Sequence, residues 1–197
     1  KVEISDVQAA QGGTYTVTVS NEGGTVTSDE AEVVVNVPIT IVTEPEDRMV
    51  PTGTSVTFQV EATGTEPLTY QWLKNGEQVA GTTALAFTIG SVSLDDSGGY
   101  QVLVTNPAGD QLSRSASLRV AQPVSIVAQP QSAQIREGQP YELSVLASGS
   151  EPISYQWYKD GEQVEGAVSP GLHIEKAAEA DAGVFHVVVG NEVGDLS

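Results

Sequence analysis

Apolar and polar residues alternate along this chain in short runs with a period of two. In the clearest stretch Val56, Phe58 and Val60 are separated by Thr57 and Gln59. The alternation recurs in Leu68, Tyr70 and Trp72, in Leu85, Phe87 and Ile89, and in Tyr100, Val102 and Val104. Successive side chains of a β-strand point to opposite faces, so each run predicts a strand with one face turned inward. Clusters of Gly, Pro, Asn and Asp separate the runs at roughly 8 to 12 residue spacing, the pattern of an antiparallel sandwich. No stretch keeps a helical apolar period. The predicted fold class is all-β, two antiparallel sheets packed face to face.

The pattern also repeats as a whole. Sliding the sequence along itself lays Tyr70-Gln71-Trp72 on Tyr155-Gln156-Trp157 and, without a gap, Gly76-Glu77-Gln78 on Gly161-Glu162-Gln163. Glu66-Pro67 falls on Glu151-Pro152, and Pro38 and Pro45 fall on Pro123 and Pro130. The same shift aligns Tyr15, Tyr100 and Phe185, then Asn21, Asn106 and Asn191, then Gly24, Gly109 and Gly194. A fixed period of this kind, here about 85 residues, marks a tandem architecture. It predicts the back end of one repeat at 1–37, a complete repeat at 38–122, and the front of a third at 123–197.

These residues resemble the immunoglobulin superfamily along the whole chain, most like its intermediate-type domains and the cysteine-free versions in large bacterial surface proteins. Trp72 and Trp157 stand where the family buries the tryptophan of strand C, and Lys74-Asn75-Gly76 and Lys159-Asp160-Gly161 follow as turns. Asp96-Ser97-Gly98-Gly99-Tyr100 matches the tyrosine corner at the start of strand F. Where the family carries paired cysteines on strands B and F, Val60 is expected to face Val102, and Val145 to face Val187. The resemblance implies Greek-key sandwiches with a structural core of Trp72, Trp157, Val60, Val102, Val145, Val187, Tyr15, Tyr100 and Phe185, and with Asp96 and Asp181 at the corners. In the family's lettering, 1–37 would hold strands E, F and G, and 123–197 would lack most of strand G. Two departures stand out. Gln11 occupies a corner position that calls for Asp, and Phe185 lacks the corner hydroxyl, which predicts a less stable third repeat. Losing a disulfide forgoes about 2 to 4 kcal/mol, offset by apolar burial at about 25 cal/mol per Å².

Composition narrows the function. Eight Lys and Arg against 26 Asp and Glu give a net charge of −18, which predicts repulsion from nucleic acid and anionic lipid. The acids are spread along the chain, as expected of solvated faces and loops in salty surroundings. With no cysteine, a disulfide framework, a thiolate zinc site and a cysteine nucleophile are excluded. Apolar runs such as Val33 to Val35 fall far short of the roughly 18 residues a spanning helix needs, so no direct membrane insertion is expected. The opening Lys-Val-Glu-Ile has no signal-peptide character, and any export signal is expected outside this stretch.

Candidate chemistry is sparse. Strand parity turns His173 and His186 outward from strands E and F, which lie in opposite sheets, so the imidazoles cannot share a triad or a metal. No catalytic, cofactor-binding or metal-binding residue is assigned. Interdomain calcium on Asp95, Asp96, Glu44, Glu46 and Asp47 has no supporting spacing. A Lys74–Asn106 crosslink is disfavoured because the two residues belong at opposite poles of an antiparallel C/F pair. The outward positions Leu73, Leu103, Tyr158 and Val188 form a candidate contact face, and the three repeated asparagines read as structural residues of the F-to-G turn.

Two function classes follow. Constant repeats with Pro-marked junctions suit a non-enzymatic stalk, fibre or filament, extracellular or at the cell surface, with a protein or cell-surface partner. The other class is a spacer or accessory binding module of a secreted multidomain enzyme. Self-association would be served by a strand from about residues 25 to 36 of one copy pairing with the third sandwich of another.

Overall fold

A computed structural model describes residues 3–197. The first repeat contributes β1 (Gly13–Tyr15), β2 (Thr18–Asn21), β3 (Gly24–Thr27) and β4 (Ala31–Val33). The second runs β5 (Thr40–Thr43), β6 (Arg48–Pro51), β7 (Val56–Gln59), β8 (Glu61–Thr63), β9 (Thr69–Lys74), β10 (Glu77–Gln78), β11 (Ala86–Ile89), β12 (Gly98–Asn106), β13 (Gly109–Leu112) and β14 (Ala116–Ala121). The third runs β15 (Ser125–Ala128), β16 (Tyr141–Ser144), β17 (Leu146–Ser148), β18 (Ser154–Lys159), β19 (Glu162–Gln163), β20 (Gly171–Ile174), β21 (Phe185–Asn191) and β22 (Gly194–Leu196). The fold class is that of tandem immunoglobulin-like sandwiches, all-β with short 3₁₀ turns at Ala9–Gln11, Leu94–Asp96 and Glu179–Asp181. Contacts gather into two compact units, Lys1–Glu46 with Thr57–Phe87 and Gly99–Ala116, and Asp47–Val56 with Thr88–Gly98 and Ser117–Ser197. The second repeat lends strands to both.

In the first unit β10, β9, β12 and β13 lie side by side, antiparallel. The register sets Val102 opposite Trp72 and Val104 opposite Tyr70, so alternate residues of both strands share the inner face. Trp72, Val102 and Val104 are fully buried and Phe58, Val60 and Tyr100 nearly so. Four rings form this core: Phe58 stacks on Tyr100 at 4.8 Å, and Trp72 and Phe87 close the set at 5.9 to 6.2 Å. Such pairs add about 0.5–1.5 kcal/mol each beyond the area they bury.

The second unit holds the parallel pair β6–β14, with Val120 opposite Val50, and the third repeat. There β19, β18, β21 and β22 make one sheet, while β16 pairs with β20 and β15 with β17. Leu143, Val145, Trp157, Val187 and Val189 are the buried cluster, with Tyr141, Leu172 and Phe185 half-buried against it. Leu143 and Leu172 stand at the positions of Phe58 and Phe87, so the aromatic set of the second repeat becomes largely aliphatic. A cleft of about 470 Å³ opens beside it, lined among others by Ile135, Tyr141, Ile174, Ala177 and Phe185.

The first repeat departs from expectation. Tyr15 is 41% exposed rather than part of a core. The described residues of this repeat supply only the pairs β1–β4 and β2–β3, and no opposing sheet covers the ring. Where the sequence predicts strand E, residues 3–12 hold only the 3₁₀ turn. The corner itself is intact, because the Tyr15 hydroxyl donates to Gln11 O at 2.8 Å. Gln11 also does the work of the missing aspartate: its Oε1 accepts from Gln8 N, as Asp96 Oδ2 accepts from Ser93 N and Asp181 Oδ2 from Ala178 N.

The third corner lacks the hydroxyl. Lys159 reaches it instead, donating through Nζ to Ala180 O and lying 6.0 Å from the centre of the Phe185 ring. Restoring the hydroxyl with Phe185→Tyr should stabilise the third repeat by about 0.5–1.5 kcal/mol, the net worth of one hydrogen bond. Urea unfolding followed by fluorine-labelled tryptophan, with Trp72 and Trp157 as separate reporters, measures this, and an unmoved or lowered Trp157 midpoint would contradict it.

Candidate functional site

The polar groups that recur in both later repeats gather where each repeat begins. Val37 and Gln122 immediately precede Pro38 and Pro123, which have no N–H to donate, so the residue before each proline carries the backbone bonding. Val37 N donates to Thr65 Oγ1 at 2.7 Å, and Val37 O accepts from Thr65 N at 3.1 Å and Asn106 Nδ2 at 3.0 Å. Gln122 N donates to Ser150 Oγ at 2.8 Å, and Gln122 O accepts from Ser150 N at 3.0 Å and Asn191 Nδ2 at 2.8 Å. Each asparagine also donates to the carbonyl of Thr65 or Ser150. Its Oδ1 accepts from the turn, from Ala108 N or Val193 N. Both amide hydrogens and the oxygen are therefore used, and the F-to-G turn is pinned to the residue that enters the repeat.

Close packing around this clamp explains a glycine. Gly64 has φ +154°, and a Cβ there would sit 2.9 Å from Asn106 Nδ2 and 3.2 Å from Pro38 O. Gly149 repeats the case, with φ +153° and Val124 Cα at 3.0 Å from the would-be Cβ. Thr65 and Ser150 were not singled out by sequence reasoning, since a Thr aligned with a Ser is an ordinary surface pair. Gln71 and Gln156 were visible only as part of the Tyr-Gln-Trp repeat, yet their Nε2 groups donate to Trp72 O and Val79 O, and to Trp157 O and Val164 O.

The predicted contact-face residues are all half-buried. Leu103 lies opposite Gln71 on β9 and opposite Leu112 on β13, while Leu73 lies opposite Gln101. In the third repeat Tyr158 pairs across strands with His186, and the rings stack at 4.9 Å with an interplanar angle of 6°. Parity placed His186 outward but did not join it to Tyr158, because the register between β18 and β21 makes that contact. Val188 lies opposite Gln156. His173 sits on β20 opposite Glu142, in a different sheet from His186.

Three of the acidic candidates for calcium, Glu44, Asp47 and Asp96, accept backbone N–H groups. Glu44 Oε2 takes Arg114 N at 2.9 Å and Asp47 Oδ1 takes Ser117 N at 2.8 Å, and Asp96 holds its 3₁₀ turn as described above. Among the described residues no group of three or more His, Cys, Asp or Glu is placed to hold a metal ion. Lys74 lies opposite Tyr100 at one end of β9, while Thr69 at the other end meets Thr105, next to Asn106. The register thus separates the two ends of the disfavoured crosslink.

Against known proteins, the immunoglobulin domain model matches residues 39–106 and again 123–191. The chain belongs to the immunoglobulin domain family. It is 29% identical over its full length to the muscle M-line assembly protein unc-89 of Caenorhabditis elegans, covering 3% of that protein. Over 98% of the chain it is 30% identical to the human peroxidasin homolog and 28% to human Roundabout homolog 3, covering 14% and 16% of them. The chain thus spans a small fraction of these relatives. Among solved structures, the titin I-band fragment I67–I69 matches with a TM-score of 0.76 at 22% identity, over 96% of this chain and 73% of that one. Sidekick-1 immunoglobulin domains 1–4 match with a TM-score of 0.71 at 24% identity, over 96% and 57%. These likenesses show the fold.

The clamp is testable in one residue. Asn191→Ala removes the donors to Gln122, which is exposed, and Ser150, which is half-buried, and should destabilise the third repeat by about 0.5–1.5 kcal/mol per bond lost, the net worth of a hydrogen bond whose partners water can reach. Asn191→Asp keeps the size and the acceptor for Val193 N but cannot donate, so it should lose a similar amount. A urea midpoint unchanged by Asp would show that the carbonyl bonds contribute nothing.

Proposed function

We propose that this chain is part of a long, non-enzymatic repeat protein that serves as a stalk, fibre or filament outside the cell or at its surface. The observation that carries the reading is the recurring clamp, which ties the entering residue of each repeat to that repeat's own F-to-G turn. A linker held in this way orients neighbouring repeats and transmits load instead of swinging as a free tether. The role needs neither metal nor cofactor. In the third repeat a single short strand, β19, extends the sheet beyond β18, between the constant-type and variable-type patterns, which favours the intermediate-type reading. The valine pairs favour a cysteine-free, surface-protein type of repeat, although the relatives named above are animal proteins.

The second reading is a spacer or accessory module of a secreted multidomain enzyme. It is favoured by similarity to the peroxidasin homolog and to a protein named as a probable oxidoreductase, which is 30% identical over 78% of this chain. A catalytic domain in the same polypeptide would carry this reading, and dozens of further repeats would carry the first.

For a partner, the reading is a β-strand added from a second copy of the chain. Val187 stands at the position of Val102, whose N–H and C=O both bond Ser113 in the second repeat. Residues 31–36 of a second copy place Ala31, Val33 and Val35 at the positions of Ala116, Leu118 and Val120. They would exchange pairing with β1 for pairing with β21.

Two measurements follow. Stretching the chain from its ends should give separate unfolding events for 38–122 and 123–197, the complete repeat releasing at most roughly 300 Å of chain; loss of both at negligible force would remove the load-bearing role. Light scattering should show a mass that rises with concentration and falls back to monomer with Val33→Asp. A monomer at every concentration would reject strand exchange and leave the stalk reading standing.

A further inference from the structure

Two turns of the same build differ in one side-chain group. The hairpins β9–β10 and β18–β19 turn on Asn75-Gly76 and Asp160-Gly161. Both residues of each turn have positive φ, 52° and 85° in the first and 51° and 87° in the second, the type I′ geometry that suits Asn-Gly and Asp-Gly. Each turn is bonded in the same way to the neighbouring segment. Asn75 N donates to Gly99 O and Asn75 Oδ1 accepts from Gly99 N, both at 2.8 Å. Asp160 N donates to Val184 O and Asp160 Oδ1 accepts from Val184 N, again at 2.8 Å. An amide in one repeat and a carboxylate in the next hold the same bonds, so an aspartate at position 75 has its place prepared.

Asn75 is also the one asparagine followed by glycine, since the others precede Glu22, Val37, Pro107 and Glu192. Asn75 and Gly76 are exposed, so water reaches the turn. With no Cβ, glycine lets its own nitrogen approach the preceding side chain and adopts the conformations this requires. We propose that Asn75 is a self-modification site whose only co-reactant is water. Gly76 N gives up its proton and bonds to Asn75 Cγ, the Cγ–Nδ2 bond breaks, and the amide nitrogen leaves as ammonia with the proton. Water then opens the five-membered imide. Attack at Cγ gives aspartate, while attack at the Asn75 backbone carbonyl carbon gives isoaspartate, whose main chain runs through the former side chain and is one methylene longer. Nothing is oxidised or reduced, and either product adds one negative charge.

The fold sets the rate and separates the products. A five-membered ring fixes the torsion about the Asn75 Cα–C bond and takes the residue out of its turn conformation, so the Gly99 bonds have to open first. Aspartate regains them, as Asp160 does with Val184. Isoaspartate, with a lengthened main chain and a shortened branch, does not. The hairpin that leads into Val79, whose N–H bonds Trp72 O at 2.9 Å, then loses its anchor. Asp160-Gly161 closes the same ring far more slowly, because a carboxylate is a poorer electrophile than an amide.

Ageing the full chain in oxygen-18 water at mildly alkaline pH, with the label located by peptide mass spectrometry, tests the site. Label is expected at residue 75 and at no other asparagine. It should enter faster in guanidinium chloride than in the folded chain, by about 2- to 12-fold for each bond that has to open, the equivalent of about 0.5–1.5 kcal/mol per hydrogen bond. Asp160→Asn should create a second labelled site in the folded chain. Asn75→Asp, the pure aspartate product, should keep the Trp72 urea midpoint of the fresh chain. The aged, more acidic fraction should contain a second population with a lower midpoint, in proportion to the isoaspartate that a methyltransferase specific for it detects. Label spread evenly over the asparagines, equal rates in the folded and unfolded chain, or no label at position 160 in the variant overturns the site. An aged fraction that unfolds wholly with Asn75→Asp overturns the separation of products.

Discussion

An indole sealed from water on both faces is the element on which each complete core depends. Trp72 and Trp157 are fully buried, and a buried N–H left without an acceptor costs about 1–3 kcal/mol. Each ring therefore needs a carbonyl brought to it. Ala84 O and Ser169 O supply one at 3.0 and 2.9 Å, from the irregular segment that follows the short edge strand. The backbone of the same tryptophans holds that segment too, through Val79 N to Trp72 O and Val164 N to Trp157 O, both 2.9 Å. One side chain thus fills the interior, aligns the edge and fixes where the next strand starts. The register does the rest, setting Val102 opposite Trp72 and Val187 opposite Trp157. At both sites a valine stands opposite the indole, where the resemblance implies a cysteine.

With the indole in place, the remaining core can vary. The second repeat surrounds Trp72 with three more rings, while the third uses leucine at two of those positions and phenylalanine at the corner. The apolar patterning is kept while side-chain size and chemistry change, which cores tolerate as long as the interior stays filled. The corner is a polar device, and it is met differently in the first and third repeats. Tyr15 meets it with a hydroxyl to Gln11 O, and the third repeat meets it from the neighbouring strand with the ammonium of Lys159. The two donors reach different carbonyls, since the third-repeat equivalent of Gln11 is Asp181 and Lys159 bonds the residue before it, so the third corner is held by a different bond.

Much of this is legible in the sequence because the period is constant. An ungapped shift that lays Trp72 on Trp157 identifies positions by their role, and strand parity then separates Trp72 and Val102 from Leu73 and Leu103. Parity says which face a side chain takes but not what it meets, so the Tyr158–His186 stack needed the β18–β21 register. Tyr15 marks a related limit: an inward-facing position is buried only where an opposing sheet exists. Gln11 looks like a defect by residue type, yet its amide oxygen accepts the bond a carboxylate would. The clamp is half-visible, since Asn106 and Asn191 are recognisable as turn residues. Their carbonyl partners lie 41 to 69 residues away in sequence, beyond any local pattern.

The acidity of the chain takes on a different meaning once the bonds are seen. A net charge of −18 invites a search for a cation, but many of these carboxylates are occupied by the protein's own backbone. Asp96 and Asp181 hold 3₁₀ turns, Asp160 takes Val184 N, and Glu66 and Glu151 take Leu68 N and Ile153 N at 2.9 Å. Glu44 and Asp47 secure the approach to β14. A fold built from short strands has many turns, each exposing N–H groups that no ladder satisfies, and a charged acceptor bonds such a donor more strongly than a neutral one. Local side-chain acceptors of this kind also compete successfully with extended structure, which helps end the strands where they end. Part of the negative charge is therefore the by-product of turn chemistry that returns with every repeat.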